Sequence, residues 1–370
     1  MSEWREVRLG EVATISWGDT STTKAKYVDE GYPAFSASGK DGLLPYFDHE
    51  GDAVVISAIG AQCGKSWFAS GRWSSIKNTM WMKATPGTAT ARYLFYLAQR
   101  PEFWPRRGSA QPFISLGDAQ QVTAVLPPLS TQQRIGSALS AFDELIAINE
   151  RRIELLEDLA RSLYREWCSQ QSDWTECKLF ELAEVGFGFS FKSKGFGQDG
   201  SRAVVRIRDV PRSFTNTFTD ELCDSKYAVQ DGDVLVGMDG DFHLNQWSGG
   251  DAWLNQRVAR LRARNGLSTY QLMLALREPI AQLNHSIVGT TVAHLGKRHL
   301  EALALPMPPE SAQQLLTPIF DSVSASVVTL SRHNRALTRT RDLLLPRLVT
   351  GRLDISDVDL GALLPDEDAA

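Results

Sequence analysis

Residues 130–168 place Ile135, Leu139, Phe142, Ile146, Asn149, Ile153, Leu156, Ala160, Leu163 and Trp167 at alternating spacings of four and three, with Asn149 the one polar member. An apolar repeat of about 3.5 residues held over several heptads is an a/d seam, the mark of a long helix that packs lengthwise against another helix. Pro127 and Pro128 forbid an earlier start, and Ser130 followed by Gln133 has the form of a capping box. At 1.5 Å per residue the helix would run roughly 55 Å. That is too long for an internal helix of a compact domain.

The pattern occurs twice. Shifting each seam position by 181 lands on Leu316, Phe320, Val323, Val327, Leu330, Asn334, Leu337, Arg341, Leu344 and Leu348, with Ser311, Gln314 and the prolines 308 and 309 upstream. In an antiparallel pair a positions face d positions, and a buried Asn is best answered by another Asn. Setting Asn149 opposite Asn334 makes paired numbers total 483. Ile153 then meets Leu330, Leu156 meets Val327, Ile146 meets Leu337, Leu163 meets Phe320 and Trp167 meets Leu316. Phe142 against Arg341 is the exception, and Arg341 is expected to snorkel to water there.

The segments before each seam repeat as well. Trp4, Leu9, Glu11 and Ala13 correspond to Trp174, Leu179, Glu181 and Ala183, followed by Gly18 and Gly188. Loops in which the second half gains eleven residues come next. Gly51 and Asp52 then match Gly232 and Asp233, each pair a turn leading into an apolar strand, and Gly108 falls on Gly289. Strand-like runs (AVVISAIG, DVLVGM, RVARLRA) alternate with short helical ones (ARYLFYLAQR, TYQLMLALRE), which predicts an α+β fold for each half.

Composition narrows the class. The 370 residues suffice for two domains, and no apolar run approaches a membrane span. The four cysteines form no CxxC pair, so a reduced, cytoplasmic protein is expected. The net charge of −5 lies in residues 352–370, where Arg352 is followed by six acidic residues between Asp354 and Asp368. Without that tail the body is neutral, which leaves any nucleic-acid contact to local patches.

Catalytic motifs are not found. The glycines of Val185–Ser190 lack a Walker lysine or a GxGxxG frame, and the repeat makes Gly188 a turn. Leu126–Leu129 is similar to the Pro-Pro motif of amino-methyltransferases only in its two prolines, lacking the polar first residue and aromatic last one. His294 and His299 belong to no HExxH pattern, and no metal site is expected. The basic and amide side chains are more telling. Lys24, Lys26, Lys40, Lys65, Lys77, Arg106 and Arg107 sit in loops of the first half. Lys192, Lys194, Arg206, Arg208, Asn245, Gln246, Arg257, Lys297 and Arg298 are their counterparts in the second. Arg206 and Arg208 would share one face of a strand, and Asn, Gln and Arg forks are the groups that read purine edges. As a set they are the candidate phosphate and base contacts.

The two openings Trp-x4-Leu-x-Glu-x-Ala, the junctions around Pro127–Gln133 and 308–314, the two seams and the ending Leu345–Arg352 together resemble the specificity subunits of type I restriction–modification enzymes. In place of the family's usual acidic residue this chain has Thr131 and Ala312. The resemblance implies target-recognition domains at 1–126 and 173–307, spacer helices at 127–172 and 308–352 forming an antiparallel coiled coil, and an acidic tail at 353–370. Its pseudo-twofold halves would each read half of a bipartite site in double-stranded DNA. It further implies two modification subunits that bind S-adenosylmethionine and methylate adenine, and two restriction subunits that use ATP and Mg. No cofactor is expected in this chain itself. The competing readings are the specificity subunit of an orphan or non-type-I modification system, and a coiled-coil interaction protein.

Overall fold

A computed structural model describes residues 4–170, 174–287, 293–307 and 309–355. Gly289 and the acidic tail beyond residue 355 lie outside the described residues. The chain falls into two compact units. One runs to Ile146 and resumes at Ala336; the other is Ala147–Arg335.

In the first unit an antiparallel sheet is ordered Ala13–Trp17, Thr79–Ala84, Ala53–Ser57, Ser66–Ala69. A second sheet is ordered Gly39–Leu44, Tyr32–Ser36, Arg72–Ser75, His49–Glu50, with one parallel pairing, Ala34 beside Ser74. Arg5–Arg8 and Thr123–Leu126 pair as a separate antiparallel ribbon. Every residue of Ala53–Ser57 is buried, as expected for a central strand without polar alternation. The helix Ala91–Ala98, capped by Thr90, packs Tyr93, Leu94 and Leu97 into the core below that sheet.

The second unit repeats this plan strand for strand. Its sheets are Ala183–Phe187, Val258–Ala263, Val234–Gly237, Leu244–Gln246 and Phe218–Thr219, Arg202–Val205, Ala252–Leu254, Ala228–Val229. The single parallel pairing recurs, Ala203 beside Ala252, and Thr175–Lys178 with Ala304–Met307 forms the ribbon. Most of the second half's gain in length falls at one connection. Residues 206–217 join two strands that residues 37 and 38 join in the first unit.

The two long helices are Leu129–Gln170 and Glu310–Leu348. They run antiparallel. Within the second unit Asn149 donates to Asn334 at 2.9 Å. Around that pair Ile153, Leu156, Ala160, Leu163 and Trp167 share one cluster with Leu316, Phe320, Val323 and Val327. Within the first unit Ile135, Leu139, Leu344 and Leu348 join the domain core, and Phe142 and Leu337 are buried.

Two local expectations need correction. Arg341 does not snorkel into water: half-buried, it donates to Asp143, which also accepts from the Tyr96 hydroxyl. Burial alone would lower the Arg341 pKa, but its bonds to Asp143 and Asp342 outweigh it and raise it. Asp143 follows the seam residue Phe142, so the odd layer is answered by an ion pair beside the seam. The helix also begins before the expected cap at Ser130. Gln132 N–H already bonds the Pro128 carbonyl at 3.0 Å. Gln132, not Gln133, ties the start down: its buried amide accepts from Thr90 N–H and donates to the Pro127 carbonyl.

Candidate nucleic-acid interface

Each unit carries, at one edge, the same four loops held by the same backbone bonds. In the first, Gly18 N–H bonds Thr79 O at 3.0 Å and Ala58 N–H bonds Asn78 O at 2.9 Å. Gly60 N–H bonds Pro112 O and Ile114 N–H bonds Ala58 O, both at 2.9 Å. In the second, Gly188 N–H bonds Val258 O at 3.2 Å and Met238 N–H bonds Arg257 O at 2.9 Å. Gly240 N–H bonds Ala293 O at 3.0 Å and Leu295 N–H bonds Met238 O at 2.7 Å. The glycines are required there. A Cβ on Gly188 would stand 1.9 Å from Asn255 O, and one on Gly18 2.5 Å from the Ser75 and Thr79 hydroxyls.

At the tip of one loop in each edge stands a non-glycine residue in the left-handed region, Asn78 with φ 70° and Arg257 with φ 68°. Asn tolerates that conformation; for Arg it is strained. Asn78 was not among the sequence candidates, although its liking for left-handed turns could have flagged it. Arg257, half-exposed, is braced by Asp239, whose Oδ2 lies 3.5 Å from Nε. His294 Nδ1 lies 2.6 Å from Asp239 Oδ1, so the ring proton points at the carboxylate. The 3.3 Å approach of Arg257 Nη1 to that same nitrogen is then a packing contact.

The other candidates divide between this edge and elsewhere. Lys24 and Lys26 follow the Asp19 turn, and Lys77 precedes Asn78 with its N–H on Thr22 O. The Asp19 carboxyl is held down to about 2 by hydrogen bonds from Thr22 and Ser21. Lys65 ends the 58–65 loop, where the Arg106 guanidinium lies against Gly64. Lys192 and Lys194 follow Phe189, and Lys297 and Arg298 open the helix after Leu295. Among the described residues Lys40, Lys65, Lys77, Lys194, Arg208 and Arg298 form no ion pair, whereas Lys24 pairs with Asp41, Arg107 with Asp118 and Lys297 with Glu301. Lys40 stands apart, at the hairpin of the other sheet.

Four candidates are corrected by their surroundings. Arg206 and Arg208 do not lie along a strand. The Asp209 carboxylate takes the Arg206 N–H at 3.0 Å and its Nε at 3.3 Å, which curls residues 207–209 into a 3-10 turn. Arg206 is thereby spent inside the fold, bonded also to Thr217, while Arg208 is exposed. Asn245 donates to Val210 O and Pro211 O, and the buried Gln246 donates to Ser324, so both amides hold the 206–217 insertion and the second long helix. The insertion encloses an open groove of about 320 Å³ lined by Arg206, Arg208, Arg212, Phe214, Asn216 and Thr217.

Among the described residues no His, Cys, Asp and Glu side chains gather as a metal site, and no helix is long and apolar enough to cross a membrane. His299 serves locally, its Nδ1 accepting from Gly296 N–H at 3.0 Å.

Comparison with known proteins agrees with this duplication. The family model described as "Type I restriction modification DNA specificity domain" matches residues 1–158 and again 171–338. The type I restriction enzyme EcoBI specificity subunit of Escherichia coli is 31% identical over 221 residues, taking in 58% of this chain but 46% of that one. The MjaVIII specificity subunit of Methanocaldococcus jannaschii is 21% identical across 96% of this chain and 94% of its own length. The crystal structure of a type I restriction–modification S subunit from M. genitalium shares the fold with a TM-score of 0.69 at 16% identity, covering 94% and 96% of the two chains. The chain therefore belongs to the family of type I restriction–modification DNA specificity domains, of which it carries two copies.

Proposed function

We propose that this chain is the sequence-reading subunit of a type I restriction–modification complex, each domain reading one half of a bipartite site in double-stranded DNA. The observation that carries the reading is the duplicated edge. Two domains with the same sheet order present the same four loops, held by matching backbone bonds, but with different side chains on them. A fixed frame with variable tips suits two readers of different sequences. In this reading the antiparallel helices, registered by Asn149 and Asn334, would serve as the spacer between the two readers, which would make the gap between half-sites a geometric quantity.

The chemistry belongs to partners in this reading. Two modification subunits would bind S-adenosylmethionine and methylate adenine, and two restriction subunits would use ATP and Mg, all in the cytoplasm. This chain positions them and performs no bond-breaking step. The test is a gel shift on a methylatable fragment, with and without the modification subunit, paired with a methyl-transfer assay. Specific binding and transfer only in the complex support the reading; transfer by the purified chain alone overturns it.

A further inference from the structure

We infer that Asn78 and Arg257 are equivalent specificity-determining residues, Asn78 recognising an adenine in one half-site and Arg257 a guanine in the other. The inference rests on the bipartite reading above and assigns one base contact to each domain. The two residues share a conformation, a hydrogen bond and a place. Both are left-handed, and both give their carbonyl to the first residue of the neighbouring loop, Ala58 or Met238. Both stand where the loops of the edge converge. A left-handed residue at a loop tip turns its side chain away from the path taken by its neighbours. Glycine would adopt it without strain. Asn tolerates that conformation, but an Arg held in it at the place where the first domain has Asn78 needs a reason beyond the turn.

Chemistry supplies one. The Asn carboxamide matches the N6 donor and N7 acceptor of adenine, and the guanidinium matches O6 and N7 of guanine, each as a two-point contact. The flexible Arg needs a brace that the short Asn does not. Asp239, itself oriented by His294, provides it at 3.5 Å from Arg257 Nε. At the matching positions of the first domain stand Ile59 and Phe113, which cannot brace a charge. Asp239 is thus a positioning residue for Arg257.

The test uses the complete complex and Asn78→Gly and Arg257→Gly, because glycine keeps the left-handed turn and removes only the fork. Methylation-sensitive sequencing reads the modified motif. For Arg257→Gly, discrimination at a single guanine of one half should fall by on the order of 5- to 150-fold, with the other half unchanged. Asn78→Gly should relax a single adenine in the opposite half. Asp239→Ala should relax the same guanine as Arg257→Gly, and Asp239→Glu should restore part of it. An unchanged motif, or uniform weakening at all positions as for a phosphate contact, overturns the inference while leaving the bipartite reading intact. Absence of a split motif with the unaltered complex overturns both.

Discussion

Replacing Asn149 by Leu should destabilise the helix pair, and replacing Asn334 by Leu in the same chain should restore it. The two amides meet at 2.9 Å in a seam otherwise apolar through the second unit. A neutral hydrogen bond of this kind contributes about 1 kcal/mol net, and a buried amide deprived of its partner costs about 1–3 kcal/mol. Because both side chains are half-buried, the lower part of that range applies, about 1–2 kcal/mol for either single substitution. With both replaced, two leucines face one another across a and d positions. The double variant should then equal or exceed the unaltered chain in stability while losing the device that fixes its register. Native-state hydrogen exchange of the helical amides around residues 149 and 334 reads this locally, about 1.4 kcal/mol appearing as a tenfold change in rate. The reasoning fails if the two substitutions act independently, their effects adding within about 0.5 kcal/mol.

Three further outcomes follow from other contacts. Asp233, 3% exposed and gripped by Arg262 through Nε and Nη2, should not tolerate loss: Asp233→Ala removes the acceptor of both bonds, and because the guanidinium is part-exposed it should cost the second domain about 1–3 kcal/mol in urea denaturation. The Asp19 carboxyl, depressed to about 2 from 3.8, adds stability to its turn that is complete above pH 3.8 and lost as pH falls through about 2; an NMR titration of its carboxyl carbon with a midpoint near 4 would contradict the bonds from Thr22 and Ser21. Arg208 and Arg212, both exposed and without an ion pair among the described residues, should act on phosphates, so replacing both by Ala should reduce the salt slope of DNA binding by roughly two and leave the recognised sequence as it was.

The long helices were legible because a seam has a period, and a period survives without any knowledge of the partner. Once two polar residues interrupted two copies of it, the layer joining Asn149 to Asn334 could be named from sequence. What decides single side chains was not legible in that way. Arg206 and Arg208 alternate like strand residues, yet the carboxylate of Asp209 three positions on captures the first and curls the chain. Asn245 and Gln246 look like free forks, but the groups that take them lie far off in sequence, Val210 and Pro211 being 35 and 34 positions from Asn245 and Ser324 being 78 from Gln246. Arg341 finds Asp143 through helix pairing, and Gln132 finds Thr90 through domain packing, neither of which a local window contains. Arg257 was a candidate from sequence and Asn78 was not, but the equivalence of the two tips emerges only when backbone conformation is compared between domains, since their surrounding sequences differ.

On the proposed function, one chain reads two half-sites at a fixed separation. Methylation-sensitive sequencing of genomic DNA from cells carrying this chain with its modification subunit tests it most directly. The expected result is a single split motif, with modified adenines in both halves and a gap of constant length. An unsplit motif, or halves recovered at varying separations, would contradict it.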